Sequence, residues 1–384
     1  MATRRFGFGR DVWTTNNRPG RAKDMTDLRR PHHGRRPSIR PSAGFLAIVT
    51  AWSVFAFVGT GSATEIAQCS ASDGFNELTA TPAQLQACGI TRMAVTRTVS
   101  LPDGGMLSEY DTPDGQTLYV PSTPKRFDAL TATPAERADY GLPPEPPVLD
   151  LLLRANWVQR AATWKLDAAP KYIFGASHGP DGTSEGGCSS CWAGYVTFQT
   201  DWNLAENLYS EPSLGPSRCS NDAIAMWSGI GGYGNDDFGQ TGTGDGFNNF
   251  SNGAAWVETD PGPNSPPYQY PGNPTAPVNS EVYATTQWTG SRYEFTMYFS
   301  SGGSEHVMGE SGKWTSTDSN ADFIGEHVEG TNIANFGTLY MSGYVGQNYM
   351  PISDYADYEL SIGGVTTGSD SDGDFTLTQH DCSG

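Results

Sequence analysis

Beyond Trp192 the chain reads as a succession of short apolar and aromatic runs separated by Gly, Ser, Asn and Asp. The clearest are Tyr195-Val196-Thr197-Phe198, Ala255-Trp256-Val257, Glu281 through Thr286, Tyr293 through Phe299, and Gly337 through Met341. Runs rich in β-branched and aromatic residues at this spacing predict antiparallel strands packed as a sandwich or barrel. In the stretch Ala321 to Glu326 the two-residue period of a strand points Asp322, Ile324 and Glu326 to one face and Phe323 and Gly325 to the other. Upstream, residues 71–147 mix short apolar stretches with Pro/Asp/Gly turn signals and end in Gly141-Leu142-Pro143-Pro144-Glu145-Pro146-Pro147, which reads as a stiff linker. Val148 to Leu166 predicts a helix or a strand, 175–187 a loop, and a new domain begins near Cys188.

The pattern at the N-terminus is different. An apolar run from Ala43 to Val58 follows a basic stretch, and Gly61-Ser62-Ala63 supplies small residues ahead of Thr64. This is the form of an export signal, with residues 1–63 as the targeting segment. Met25 would give a more ordinary basic region, Arg29-Arg30 and Arg35-Arg36 hint at a twin-arginine route, and an uncleaved anchor helix is the alternative. The expected localisation is therefore secreted or extracellular.

Composition narrows the classes. The 384 residues include 46 Gly, 26 Pro, 10 Trp, 17 Tyr and 17 Phe, and only 17% are charged, so a helical bundle is disfavoured. The net charge of −19 argues against a nucleic-acid partner, because phosphate binding requires clustered Lys and Arg. A hydrophobic content of 37% can fill a core, which argues against disorder. The charge is also uneven: residues 1–63 carry eleven Lys/Arg against three Asp/Glu, residues 64–184 nine against fourteen, and residues 185–384 three against twenty-five. A surface so poor in bases repels itself at neutral pH and relaxes as its carboxylates protonate, which suits an acidic medium. The 64–184 segment, which holds nine of the twelve bases beyond the signal, is expected to act as a propeptide and to be released in acid.

Six cysteines, Cys69, Cys88, Cys188, Cys191, Cys219 and Cys382, lie beyond the signal. In an exported chain an even set predicts disulfides, and Cys188-x-x-Cys191 lacks the second Cys pair or spaced His that zinc would need. Ser369 to Asp374 has the acidic character of a calcium loop without its later bidentate Glu, and reads as a hairpin turn. No metal and no cofactor is expected.

Candidate chemistry comes from carboxylates and amides. The C-terminal part has only His306, His327 and His380, and no G-x-S-x-G occurs anywhere. Three stretches combine acids or amides with aromatics and glycines: Trp227 to Gly232 leading to Gly239-Gln240-Thr241-Gly242, then Ala255 to Glu258, then Ala321 to Glu326.

In order and wording these stretches resemble the eqolisins, the glutamic peptidases, where W-V-G-I-D-G is followed by L-Q-T-G, A-W-Y-E-W-Y-P and A-E-F-I-I-E. Ser190-Cys191-Trp192-Ala193-Gly194 stands where that family has S-N-W-A-G, so five blocks recur in order over about Ser190 to Tyr344. Arg126 to Ala132 and Tyr140 to Pro144 are similar to the segment that precedes the catalytic domain in bacterial-type members. The resemblance implies an all-β fold, a concanavalin-like sandwich of two antiparallel sheets, as the 185–384 domain. It implies a catalytic Gln at Gln240 and a catalytic Glu at Glu326, with Trp227 and Asp322 contacting substrate and Glu258 either orienting Gln240 or binding substrate. The implied activity is acid endopeptidase action by a monomer on polypeptides, with no nucleic-acid or stable membrane partner. The chain departs from the family at Gly231, where the family has Asp, at Asp322, where it has Glu, and at Thr259-Asp260, where it has an aromatic pair. Two rivals use the same residues: a carbohydrate-active sandwich enzyme with Glu258 and Glu326 as paired carboxylates, and a noncatalytic lectin-like or adhesion module.

Overall fold

The computed structural model describes residues 77–113, 115–148, 150–176, 191–198, 202–215, 222–233, 238–245, 253–260, 267–270, 274–312, 320–327, 332–352, 358–360, 362, 364–369 and 372–381. The apolar run of the targeting segment and the Ser369 to Asp374 turn fall wholly or partly outside them. No described helix is long and apolar enough to cross a membrane.

In chain order the elements are α1 (Pro82–Ala87), β1 (Ile90–Ser100), β2 (Met106–Asp111), β3 (Thr117–Ser122), α2 (Pro134–Asp139), α3 (Leu151–Thr163), β4 (Tyr172–Ala176), β5 (Trp192–Thr197), β6 (Leu204–Ser210), β7 (Asp222–Gly231) and β8 (Phe238–Asp245). They continue with β9 (Ala254–Asp260), β10 (Tyr268–Gln269), β11 (Glu281–Trp288), β12 (Tyr293–Phe299), β13 (Ser304–Met308), β14 (Ala321–Glu326), β15 (Asn332–Ile333), β16 (Thr338–Val345), β17 (Met350–Pro351), β18 (Tyr358–Leu360), β19 (Val365–Ser369) and β20 (Asp374–Gln379).

The strands form the expected antiparallel sandwich. One sheet runs β18-β5-β14-β7-β8-β9-β10-β4-β1. The other runs β1-β2-β3-β13-β12-β11-β6-β16-β20-β19. Strand β1 belongs to both: Ile90 to Ala94 pair with β4, and beyond a register shift between Val95 and Arg97 the strand pairs with β2. A bulge of this kind bends a strand and lets it change sheets at a corner.

Side-chain alternation then divides the first sheet. Ile224, Met226 and Ile230 of β7, Tyr195 of β5, Val257 of β9 and Phe323 of β14 point inward, where they meet Tyr209, Ala284, Phe295, Met297 and Leu339 of the second sheet in the main core. The inner layer also carries polar ties. Asn207 Nδ2 donates to the Trp227 carbonyl at 3.0 Å, the Tyr209 hydroxyl to the Met226 carbonyl at 3.1 Å, and Thr286 Oγ1 to the Ser228 carbonyl at 2.9 Å. Three consecutive carbonyls of β7 are thus pinned by side chains of the second sheet.

The segment before residue 177 shares these layers. Met93, Tyr110, Leu118, Val120 and Ile173 lie in the main core. Val148 to Leu166, ambiguous in sequence, contains helix α3, started by Asp150, whose side chain accepts from the Leu153 N–H at 3.0 Å. Cys88 and Cys191 are disulfide-bonded, and the other four cysteines lie outside the described residues.

Candidate functional site

The outward face of the first sheet carries every residue singled out from the sequence. Register sets this directly: β14 pairs with β7 through Asp322↔Gly229, Ile324↔Trp227 and Glu326↔Ala225, β7 with β8 through Gly229↔Gln240, and β8 with β9 through Gln240↔Glu258. Paired residues share a face, so Asp322, Gly229, Gln240 and Glu258 form one row across four strands. Glu326 lies four positions further along β14, beside Ala225.

Two hydrogen-bonded pairs organise the face. The Trp227 indole Nε1–H donates to Glu326 Oε2 at 2.8 Å. The Gln240 amide Nε2 donates to Glu258 Oε2 at 2.9 Å. Gln240 and Glu326 are each only 4% exposed, so both lie in sites largely stripped of bulk water. Trp227 is positioned from three sides: its carbonyl is held by Asn207, its ring meets Trp192 edge-on at 4.9 Å between centroids, and it packs among Val196, Ala225, Trp256 and Ile324. A rigid aromatic with a polar edge is suited to fixing a carboxylate.

Two glycines explain local departures from ordinary strand composition. A Cβ on Gly242 would fall 1.9 Å from the Met226 carbonyl oxygen, so β8 approaches β7 this closely only without a side chain there. Gly231 has φ +77 and Gly232 φ +103, in the region that favours glycine, and here the chain leaves β7. The Gly231 position, where the resembled family has Asp, is therefore a backbone turn in this chain.

Asp322 stands apart from both pairs. It is fully buried, neither carboxyl oxygen has a hydrogen-bond partner among the described residues, and burial holds its carboxyl well above the usual carboxylate range. The structure thus joins Trp227 to Glu326 and Gln240 to Glu258, and leaves Asp322 in the same row as Gln240 with its ionisation opposed by burial. Gln240 and Glu326 stand diagonally, two strands and four register positions apart, which is ~10 Å across and ~13 Å along a flat sheet. Trp192, not singled out as a site residue, is the main support of Trp227; its place in the Cys191-Trp192-Ala193-Gly194 block was the available signal. Among the described residues no cluster of His, Cys, Asp and Glu suits a metal ion.

Fold and face together define a two-sheet antiparallel β-sandwich with an outward-facing carboxylate and amide site. Among solved structures the chain is similar to scytalido-glutamic peptidase with a transition-state analogue inhibitor, at 17% identity over 50% of this chain and 98% of that chain, TM-score 0.41. It is similar to the same peptidase with a peptide-based transition-state analogue, at 17% identity, the same coverage and TM-score 0.39. A third is SCP-B, a member of the eqolisin family of peptidases in a complex with the tripeptide Ala-Ile-His, at 15% identity, again over 50% and 98% of the two chains, TM-score 0.37. No protein-family model matches the chain, and no curated protein does.

Proposed function

We propose that the protein is a secreted endopeptidase acting in acid, with Glu326 as general base and Gln240 as oxyanion donor. The observation that carries this reading is the placement of an amide and a carboxylate on one sheet face, each nearly buried and each held by a dedicated neighbour. Peptide hydrolysis requires a water deprotonated as it attacks the carbonyl and a donor for the oxyanion that forms. Glu326, oriented by the Trp227 indole, takes the water proton and returns it to the leaving nitrogen. Gln240 has two amide N–H groups; one is given to Glu258, and the other is the donor assigned to the oxyanion. The charge of Glu258 strengthens the bond that fixes the amide and sets which end of it is nitrogen. Trp227 and Asp322, both buried, are assigned to the floor of the groove beneath the polypeptide substrate. A carboxylate base works at a pH where imidazole would be protonated, and the only described histidines on the strands and their flanks, His306, His327 and His380, lie outside these two pairs.

The carbohydrate-active reading needs Glu258 and Glu326 to face one another across a single bond, within roughly 5 to 9.5 Å. Glu258 stands three strands from Glu326, one strand farther than Gln240 does. Glu258 is also engaged with Gln240. The test is digestion of a denatured protein across acid and neutral pH with pepstatin present to silence aspartic peptidases. Cleavage confined to acid supports the proposal; no cleavage at any pH by folded protein, tested after the upstream segment has been cut, rejects it.

A further inference from the structure

Helix α3 and strands β1 to β4 are attached to the sandwich by contacts of a kind that surface charge does not govern. Arg160 of α3 donates from Nη1 to Glu206 Oε2 at 2.9 Å and from Nη2 to Glu206 Oε1 at 3.1 Å, a two-point pair with side chains 3% and 2% exposed. Its guanidinium also lies 4.2 Å from the centroid of the Tyr283 ring, and Thr285 Oγ1 donates to Glu206 Oε2 at 3.0 Å. Around the pair, Trp157, Ala161 and Trp164 cover Tyr283 and Tyr298, with the Trp164 and Tyr298 rings stacked at 6.2 Å. These residues of β6, β11 and β12 point away from the first sheet, since their strand neighbours Ala205, Ala284 and Met297 face the main core. The helix therefore occupies the outer face of the second sheet, opposite the face that carries Gln240 and Glu326.

At the edge of the first sheet, β4 lies between β1 and β10, and Thr259 beside the site row donates to Gln116 Oε1 at 3.0 Å. Taking the segment away would leave Glu206 without its cation, bare Tyr283 and Tyr298, and open the main core at Met93, Tyr110 and Ile173. A buried carboxylate deprived of its partner is strongly destabilising.

We infer that the upstream segment, residues 77–176, is a permanent noncovalent partner of the sandwich: after any cut between β4 and β5 it stays bound, and the working form is a two-piece protein. The acid-release expectation rested on attraction between surface charges, which salt and protonation weaken. The attachments here are buried: helix α3 lies on the face opposite Gln240 and Glu326, while α1 packs on Ile90 and Phe174 and Glu77 accepts from Gln269 Nε2 at 3.1 Å at the β1–β4–β10 edge of the first sheet. The inference does not depend on the peptidase reading.

The test places a specific protease site between Gly182 and Thr183 of the full chain, with Cys69→Ser and Cys88→Ser so that no disulfide can join the pieces. After cleavage the mixture is run on gel filtration at acid and at neutral pH, and in about 1 M NaCl, where the Debye length is ~3 Å. The two pieces should co-elute at equal stoichiometry under all three conditions and separate only in denaturant. A 183–384 piece that elutes alone and keeps the circular dichroism of a folded β protein overturns the inference. A second arm compares Arg160→Met with Arg160→Met/Glu206→Met: the single variant should weaken retention at least tenfold, and the double variant, with no stranded charge, should restore it. Equal retention by the parent and the single variant would show that the buried pair does not hold the segment.

Discussion

Carrying the protein from about pH 5 to about pH 8 should lower its melting temperature, because several carboxyl groups are buried where ionisation is opposed. Burial, reinforced by the charge of Asp245 and opposed by the Thr243 hydroxyl, pushes Glu211 up to about 8. Burial, opposed by the Gly253 N–H, pushes Asp245 up to about 6, and burial with the charge of Asp167 pushes Glu305 up to about 8. A carboxyl whose folded pKa lies above its unfolded value favours the fold fully below the unfolded value, near ~4, and loses that contribution as pH rises through the folded value. His306 runs the other way. Burial, aided by Arg292, lowers it to about 3, so its contribution is lost as pH falls from the ordinary imidazole value of ~6.5 toward that figure. Burial raises Asp322, Glu294 and Asp139 as well, so several acids oppose one imidazole up to ~6.5, and above it the raised acids act unopposed. One proton is worth ~1.4 kcal/mol per pH unit, so Glu211 and Glu305 together contribute at most ~2–3 kcal/mol per pH unit between their unfolded values and about 8, where the slope flattens. Calorimetry at matched ionic strength should find the stability maximum at about pH 4 to 5 and a decline above it. Glu211→Gln, whose amide oxygen can still accept from Thr243, should flatten the decline. A melting temperature that climbs steadily from pH 5 to pH 8, or a Glu211→Gln curve parallel to that of the parent, would refute the reasoning.

Three substitutions probe the site and its frame. Trp227→Phe keeps the aromatic packing but removes the indole donor to the buried Glu326 carboxylate, which should cost ~1–3 kcal/mol, read as a lower melting temperature and a lower kcat. Glu258→Gln keeps an acceptor for Gln240 but removes its charge, and should lower kcat several-fold in a peptide-hydrolysis assay while the fold is retained. Gly242→Ala forces β7 and β8 apart at the Met226 carbonyl and should cost ~1–3 kcal/mol or more in denaturant unfolding, an overpacking effect.

The aromatic strands were legible because they alternate. β11 and β12, with Val282, Ala284, Phe295 and Met297 inward, announce a half-buried sheet from composition alone. β14 was legible for the same reason, and its two faces fall as the two-residue period requires. β7 and β8 were recognisable only through motif resemblance, since Phe238-Gly239-Gln240-Thr241-Gly242-Thr243-Gly244-Asp245 is poor in strand formers. Its glycines answer to a tertiary demand, the close approach to Met226, which local propensity cannot express. Whether Glu258 orients Gln240 or binds substrate stayed open in the sequence, because it depends on the register of two strands that are both irregular in composition; the pairing at 2.9 Å gives the first of these contacts. Arg160 was harder still: one Arg among nine bases in its segment carries no sign that a Glu forty-six positions away is buried against it.

The central claim is that Glu326, and no other acid of the row, takes and returns the proton. Its most direct measurement is the acid-pH hydrolysis rate of Glu326→Gln beside Asp322→Asn and Gln240→Ala, each shown folded by near-ultraviolet circular dichroism. The account predicts that Glu326→Gln falls to background, that Gln240→Ala loses about 10²–10³ in turnover as for one oxyanion donor, and that Asp322→Asn stays within about tenfold of the parent. A folded Glu326→Gln protein that hydrolyses peptide at the parental rate while Asp322→Asn is inert would contradict it and move the base to Asp322.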